Sequence, residues 1–271
     1  MPELPEVETT LRAIKKFKGS VLKEAKVHNK NLRWPVIDGF ESSVKGQVVK
    51  NLVRRAKYII FKLSNNKNII LHLGMSGSLR IANNNNENFF IKHDHIELIF
   101  DDERIIYNDP RRFGSIHLTA SISNHKLIKN LGPEPLSENF NAKDFYSACN
   151  NSKTNIKSFL MNQKNVVGIG NIYASESLFL AKINPSKNAN ELDLEACKRL
   201  VAAGKKILEQ AIEVGGTTLK DFYSADGSPG YFKFKLNVYG REGEICNNCK
   251  NSIHKIVINQ RATFFCKNCQ I

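Results

Sequence analysis

Chemistry is available at the very start of the chain, in Met1-Pro2-Glu3. A small second residue permits removal of Met1, which leaves a proline amine as the N-terminus. That amine is secondary and nucleophilic. A free α-amino group titrates near about 7.7–8.0, so a useful fraction is unprotonated close to neutrality. Attack by such an amine on a sugar carbon gives a Schiff base, a route of covalent catalysis. The carboxylate of Glu3 stands beside it and can move protons. The alternative for the same residues is a proline that merely opens a helix.

A second group lies near the other end. Cys246-x2-Cys249 is followed by sixteen residues and then Cys266-x2-Cys269. Each CxxC turns back so that two sulfurs face one ion, and two such knuckles on a hairpin make a four-thiolate zinc site. Four protein ligands leave no open position, so one structural Zn2+ is expected. So short a segment buries little core, and the metal would supply most of its folding energy. A redox role is the rival reading, and the ribbon spacing argues against it. From Lys235 onward six basic residues face two acidic ones, leaving +4 on this module, with Arg261 on or near the hairpin. Cys149 and Cys197 stand alone in helical contexts and read as small core residues.

These groups need elements to hold them. Pro5 to about Lys18 reads as a helix, with Pro5 in the first turn, Glu6 and Glu8 at the positive end of the dipole, and Val7, Leu11 and Ile14 as its buried stripe. Gly19 ends it. From about Val21 to Thr119 short β-like runs dominate, among them Val48–Val53, Tyr58–Leu63, Ile69–Leu73, His95–Phe100 and Ile116–Leu118. Asn83–Asn88 reads as a polar, mobile loop. The two prolines in Leu131–Leu136 make a stiff joint, where a domain boundary is expected. Helices follow at roughly Ala142–Asn150, Asn155–Gln163, Ile172–Ala181 and Leu194–Val214, and the cysteine segment returns to short strands.

Composition narrows the partner. There are 40 Lys+Arg against 26 Asp+Glu, a formal charge of +14 over 271 residues. That excess points to a polyanion, most often nucleic acid. No apolar run approaches the ~18 residues of a membrane span, and no secretory signal precedes the first helix. A cytoplasmic protein is expected. Val167-Gly-Ile-Gly-Asn171 echoes a dinucleotide loop but lacks the third glycine and a preceding strand, so no nucleotide cofactor is expected. Asn171 instead opens a helix, where free N–H groups bind phosphate readily.

The N-terminal Met-Pro-Glu-Leu-Pro-Glu-Val-Glu, together with a four-cysteine ribbon carrying Gln-Arg-Ala-Thr-Phe-Phe, closely resembles bacterial formamidopyrimidine-DNA glycosylases. Further similar segments are Arg54–Tyr58, His72–Arg80, Asp109–Gly114, Leu131–Leu136, Val167–Leu178, Gly215–Phe222 and Gly230–Phe232. The related endonuclease VIII group begins Pro-Glu-Gly-Pro-Glu, whereas Leu4 occupies that glycine position here.

The resemblance implies an α+β chain: a β-sandwich at residues 1–132, a hinge and first helix at 133–150, a helix–two-turn–helix region with a lesion lid at 151–232, and the zinc ribbon at 233–271. DNA would lie in the cleft between the two domains. The implied activity is removal of 8-oxoguanine and formamidopyrimidines from damaged double-stranded DNA by a monomer, followed by β,δ-elimination at the abasic site. Pro2 would attack C1′ and Glu3 would assist proton transfer, with Lys57 and Arg261 completing the catalytic group through phosphate contact.

His72, Met75, Arg111, Arg112, Phe113, Lys157, Asn171 and Tyr239 would bind DNA. Flipping a base costs a few kcal/mol of stacking and pairing. Met75 would fill the hole, Phe113 would wedge between bases, and Arg111 would read the orphaned cytosine. The lid residues Thr217, Thr218, Leu219, Lys220, Asp221, Phe222 and Tyr223 would close over the flipped base. Without the resemblance, Lys57 reads with Arg54 and Arg55 as a solvated charge run, His72 as a satisfied core histidine, Lys157 as a surface helix charge, and Arg111–Phe113 as a basic turn. Glu6 is either an active-site carboxylate or plain helix N-terminal charge. Two alternatives stand at this point, an enzyme preferring oxidised pyrimidines and a catalytically silent damage-binding protein.

Overall fold

The computed structural model describes residues 2–85, 90–215 and 236–271. Met1, the expected lid residues 217–223 and positions 86–88 of the expected polar loop lie outside them. The first part of the chain runs α1 (Leu4–Ile14), β1 (Val21–Leu22), β2 (Glu24–Val27), α2 (Phe40–Val44), β3 (Gln47–Arg55), β4 (Tyr58–Leu63), β5 (Asn68–His72), β6 (Ser78–Asn83), β7 (Asp94–Ile99), β8 (Glu103–Asn108) and β9 (Ser115–Thr119). The second runs α3 (Ala142–Asn150), α4 (Ile156–Met161), α5 (Asn171–Leu180), α6 (Leu194–Glu213), β10 (His254–Ile258) and β11 (Arg261–Phe265).

The strands form two antiparallel sheets with orders β1-β3-β4-β5-β9 and β2-β7-β8-β6, plus the separate hairpin β10-β11. One apolar core joins the first two. Leu52, Ile59, Phe61, Ile69 and Leu71 from the five-stranded sheet share it with Leu79, Ile96, Leu98 and Ile105 from the four-stranded one. The alternation of Ile59, Phe61 and Leu63 along β4 puts one face of that strand into this layer. Val7, Leu11 and Ile14 of α1 enter the same core, so the N-terminal helix is anchored to the sandwich.

The α-helical part of the first helix ends at Ile14, short of the expected Lys18. Lys15–Phe17 tighten into one 3-10 turn closed by Lys18 N–H on the Lys15 carbonyl at 3.1 Å. Tightening satisfies end carbonyls that a further α-turn would leave without donors, and it buries Phe17 against Phe100 at 4.4 Å between centroids. The start of the expected polar loop is also ordered. Asn83 closes β6, and the Asn84 side chain donates to the Phe100 and Asp101 carbonyls at 2.9 Å.

The chain divides into two compact units between Lys129 and Asn130. In the second, side-chain N-caps start the helices: Asn141 accepts from Asp144 N–H, Asn155 from Ser158 N–H and Asp193 from Ala196 N–H. Helix α5 is buried on nearly every side, and its polar Ser175, Glu176 and Ser177 are buried with its apolar residues. No strand precedes the Val167–Asn171 loop in this unit among the described residues. Cys149 and Cys197 are fully buried, and their thiols share a hydrogen bond, which together with burial pushes the Cys149 thiol up.

One buried acid organises the approach to the ribbon. The Glu176 carboxylate on α5 accepts from the Asn237 backbone and side-chain amides and from Val238 and Tyr239 N–H, all at 2.8–2.9 Å. Removing it strands four donors, each worth about 1–3 kcal/mol when left unsatisfied away from water. Glu176→Ala should therefore lower the unfolding free energy by more than about 3 kcal/mol. Urea denaturation checks this, and a midpoint equal to wild type would contradict it.

Candidate active site and nucleic-acid interface

Pro2 is buried at the entry to α1. Two acids are buried with it, Glu3 at 2 % exposure and Glu6 at 1 %. Glu3 is the extended N-cap residue, and its N–H donates to Glu6 Oε2 at 2.8 Å. Glu6 is thus more than dipole charge, because it holds the backbone one residue from Pro2. The arrangement gives a proline nitrogen with carboxylates on the same helical entry, fixed by a helix docked in the core.

Lys57 sits in the two-residue turn between β3 and β4, where Arg55 pairs with Tyr58. Its neighbour Ala56 is buried with φ +52, a left-handed conformation unfavourable by roughly 1–2 kcal/mol for a residue with a Cβ. Such strain persists where surroundings over-determine it, and it concentrates at functional sites. Here Arg54 supplies the restraint. Its Nη1 donates to the Ala56 carbonyl at 3.0 Å while its Nε pairs with Glu8 on α1 at 2.8 Å. Lys57 itself is buried rather than part of a solvated charge run.

His72 ends β5 opposite Tyr58, with ring centroids 4.8 Å apart. Its Nδ1 accepts from Gly74 N–H at 3.0 Å, which assigns the ring proton to Nε2 and makes that nitrogen a donor. Burial, reinforced by the charges of Lys57 and Arg33, holds its pKa down at about 4. A neutral donor of this kind suits a phosphate oxygen. It is half-buried at a strand end, not sealed in the core.

Met75 is 41 % exposed and Phe113 42 % exposed, two large apolar tips that the fold leaves in solvent. They come from the β5–β6 and β8–β9 connections, whose backbones touch. A Cβ at Gly74 would collide with the Phe113 and Gly114 backbone, and φ +68 there also favours glycine. The Arg111 guanidinium lies 4.8 Å from the Phe113 ring centroid. Arg112 is exposed beside it in a left-handed conformation. The first unit therefore brings His72, Met75, Arg111, Arg112 and Phe113 together. Arg33 joins them: its N–H donates to the Gly114 carbonyl at 3.1 Å, and its side chain stacks on Trp34. The basic–aromatic pair Arg33-Trp34 was the available sequence signal for it.

In the second unit Lys157 is buried on α4, and its Nζ donates to Thr263 Oγ1 at 2.7 Å and to the Ala262 carbonyl at 3.2 Å. The surface-charge reading of Lys157 is thereby overturned. Asn171 donates to the same carbonyl at 2.9 Å. Both secure the start of β11. The hairpin turn at Asn259 and Gln260 has φ +46 and +59, and Asn259 pins it to Ser158 at 2.7 Å. Arg261 is exposed beside a groove of about 250 Å³ lined also by Lys157, Met161 and Asn162. Tyr239 is half-buried with its ring edge-on to Phe264.

The four ribbon cysteines converge, with all ligand atoms within 4.8 Å of one another. Cys249 and Cys266 sulfurs are 3.4 Å apart, and those of Cys246 and Cys269 are 3.9 Å apart. Zinc–sulfur bonds of about 2.3 Å in a tetrahedron put sulfurs about 3.8 Å apart, so the donor set fits one structural zinc. Val238, Ile253 and Phe264 pack against Phe179 of α5 beside the sulfurs, giving the ribbon a small core besides its metal.

A profile of the formamidopyrimidine-DNA glycosylase N-terminal domain matches residues 1–116, that of the family's H2TH domain matches 131–223, and that of a zinc finger found in FPG and IleRS matches 243–271. The chain is 48 % identical to the formamidopyrimidine-DNA glycosylase of Hydrogenovibrio crunogenus, with 100 % of this chain and 96 % of that one aligned. The chain belongs to the formamidopyrimidine-DNA glycosylase family. It is thus grouped with DNA-repair glycosylases that carry a zinc finger. Its fold is similar to a mutant Lactococcus lactis FPG in complex with a Fapy-dG containing DNA, at TM-score 0.91, 37 % identity and 99 % coverage of both chains. It is also similar, at TM-score 0.90, 37 % identity and 99 % coverage of both chains, to Lactococcus lactis Fpg in complex with an abasic site containing DNA.

The depressed pKa values at His72 and at His117, also about 4 and caused first by burial, have a consequence for stability. An unfolded histidine protonates near about 6.5. Stability held by the neutral rings is therefore full above pH ~6.5 and is lost as pH falls toward ~4. A His72→Gln/His117→Gln variant should lose less melting temperature than wild type over that range. Identical slopes of Tm against pH would contradict the assignment.

Proposed function

We infer that the protein is a bifunctional enzyme that excises 8-oxoguanine and formamidopyrimidines from duplex DNA and then cleaves the strand. The observation that carries this reading is Pro2 at the entry to α1 with the buried carboxylates of Glu3 and Glu6. Once Met1 is removed, the proline nitrogen attacks C1′ of the damaged nucleotide. The N–C1′ bond forms as the glycosidic electron pair leaves with the base, which takes up a proton. The nitrogen lone pair then expels O4′, which takes up a proton as the sugar ring opens, and the resulting iminium acidifies the C2′ protons, so a base beside the sugar suffices for β-elimination of one phosphate and then δ-elimination of the other. Glu3 is the proton carrier. No metal is required for this sequence, and the ribbon zinc, held by Cys246, Cys249, Cys266 and Cys269, serves structure.

Lys57, neutral His72 and Arg261 contact phosphates. In the second unit Lys157, Asn171 and Tyr239 bind phosphates as well, with Lys157 and Asn171 also bracing the hairpin that carries Arg261. Met75 occupies the space the flipped base vacates, Phe113 wedges the stack, and Arg111 hydrogen-bonds the orphaned cytosine while Arg112 adds charge at the same turn. Residues 217–223 act as the lesion lid. The FPG complexes with Fapy-dG DNA and with abasic DNA support this reading through overall similarity. We further read the protein as a monomer that works on DNA in the cytoplasm; no described helix is long and apolar enough to cross a membrane.

Side-by-side excision tests the substrate class. The protein should remove 8-oxoguanine opposite C faster than thymine glycol, and the reverse order would move it to the oxidised-pyrimidine enzymes. Arg111→Ala should erode the preference for C over A opposite 8-oxoguanine by roughly ten- to a hundredfold, the value of a lost bidentate base contact. An unchanged preference would remove Arg111 from partner reading.

A further inference from the structure

The two tips that carry Met75 and Arg111–Phe113 belong to different loops, yet probing a duplex requires them in fixed register. The group that joins them is a fully buried acid. Asp109 Oδ1 accepts from Ser76 Oγ at 2.6 Å. Its Oδ2 accepts from Tyr107 OH at 2.9 Å and from Gly114 N–H at 2.8 Å. Its carbonyl accepts from Arg112 N–H at 3.2 Å and meets His95 Nε2 at 2.8 Å. The Ser76 hydroxyl then accepts from Arg111 N–H at 3.2 Å. One side chain thus ties the Met75 loop, the end of β8, and both sides of the Phe113 wedge.

The direction of each bond is determined. Gly114 N–H can only donate. Tyr107 is kept protonated, and so able to donate, by burial and by the Asp109 charge. Because Ser76 donates to Asp109, its lone pairs are left for Arg111 N–H. Space is equally constrained, since a Cβ at Gly114 would collide with Tyr107 OH and with the His72 carbonyl.

We propose that Asp109 is a positioning residue for base extrusion, holding the Met75 and Arg111–Phe113 tips in one register so that void filling, wedging and partner reading occur together. This rests on the roles given above to those tips. Asp109 does not touch DNA; it acts through Ser76 and Gly114.

The substitution Asp109→Asn isolates the effect. The amide oxygen must stay toward Gly114 N–H, so the new NH2 group faces Ser76. The serine hydroxyl then receives two donors and its own proton loses its acceptor, which loosens Arg111 and Met75 without removing volume. A displacement of about 1 Å in a positioned group can slow a reaction by roughly a hundredfold.

The test is single-turnover excision on duplexes with 8-oxoguanine opposite C and opposite A, using Asp109→Asn, Met75→Ala and the double variant. Asp109→Asn should slow excision opposite C by roughly tenfold or more and reduce the preference for C over A. In the double variant the two losses should combine to less than their product, because part of the Asp109→Asn effect passes through Met75. Ser76→Ala, which spares the Tyr107 and Gly114 bonds, should reproduce the reduced preference even where Asp109→Asn folds poorly.

Losses that simply multiply would assign Asp109 to general folding and overturn the proposal. So would excision within about twofold of wild type, the range expected of independent sites, in Asp109→Asn and Ser76→Ala while Met75→Ala is slow. If Met75→Ala and Arg111→Ala are both silent, the reading of the tips fails, and the clamp fails with it. That outcome differs from either of the others.

Discussion

A nucleophile at a chain end faces a mechanical problem: the terminus is the part of a polypeptide with the fewest restraints, whereas attack on a sugar carbon needs the reacting atoms held at near contact distance. The rest of the candidate site depends on how this chain meets that requirement. Val7, Leu11 and Ile14 tie α1 into the sandwich core, and burial of such side chains contributes about 1.5–3 kcal/mol each. The Glu3 N–H to Glu6 carboxylate bond then fixes the residue next to Pro2. Glu8 extends the connection to Arg54, whose second bond restrains the strained Ala56 beside Lys57. The nitrogen and the lysine are thereby both positioned through α1.

The same logic recurs wherever this protein must present a group with precision. Backbone N–H donors are gathered by buried carboxylates: Glu6 holds Glu3, Asp109 holds Gly114, and Glu176 holds Val238 and Tyr239. Hydrogen bonds from backbone to a charged acceptor are stronger than neutral ones, and in a low-dielectric setting they resist displacement. The exposed candidate groups Met75 and Phe113 stand on loops braced in this way, and Arg261 opens a strand braced by Lys157 and Asn259. Gly74, Arg112 and Asn259, each left-handed, are held by hydrogen bonds to His72, Asp109 and Ser158.

Much of this was legible in the sequence, for identifiable reasons. Helices α3 and α6 lie close to where they were expected, strand β4 follows from its apolar β-rich run, and the zinc site from cysteine spacing alone. Pro2-Glu3, Lys57, His72, Met75 and Arg111–Phe113 stood out through resemblance. What escaped was whatever depends on partners distant in the chain. Asp109 and Glu176 bind backbone amides, which carry no residue identity to read. Arg54 looked like one member of a charge run, and only its pairing with Glu8 shows its function as a strut. Lys157 on a short helix gave no hint of burial, because the strand that covers it begins about a hundred residues later. The 3-10 turn at Lys15–Phe17 and the ordered Asn84 likewise depend on packing and on the Phe100 segment, not on local propensity.

Borohydride trapping tests the central claim most directly. Met-processed, zinc-loaded protein is incubated with a duplex carrying 8-oxoguanine opposite C, reduced, and the adduct is mapped by mass spectrometry. The account predicts a covalent DNA adduct on the nitrogen of Pro2. Binding of this DNA with no adduct, or an adduct on a lysine instead, would contradict it.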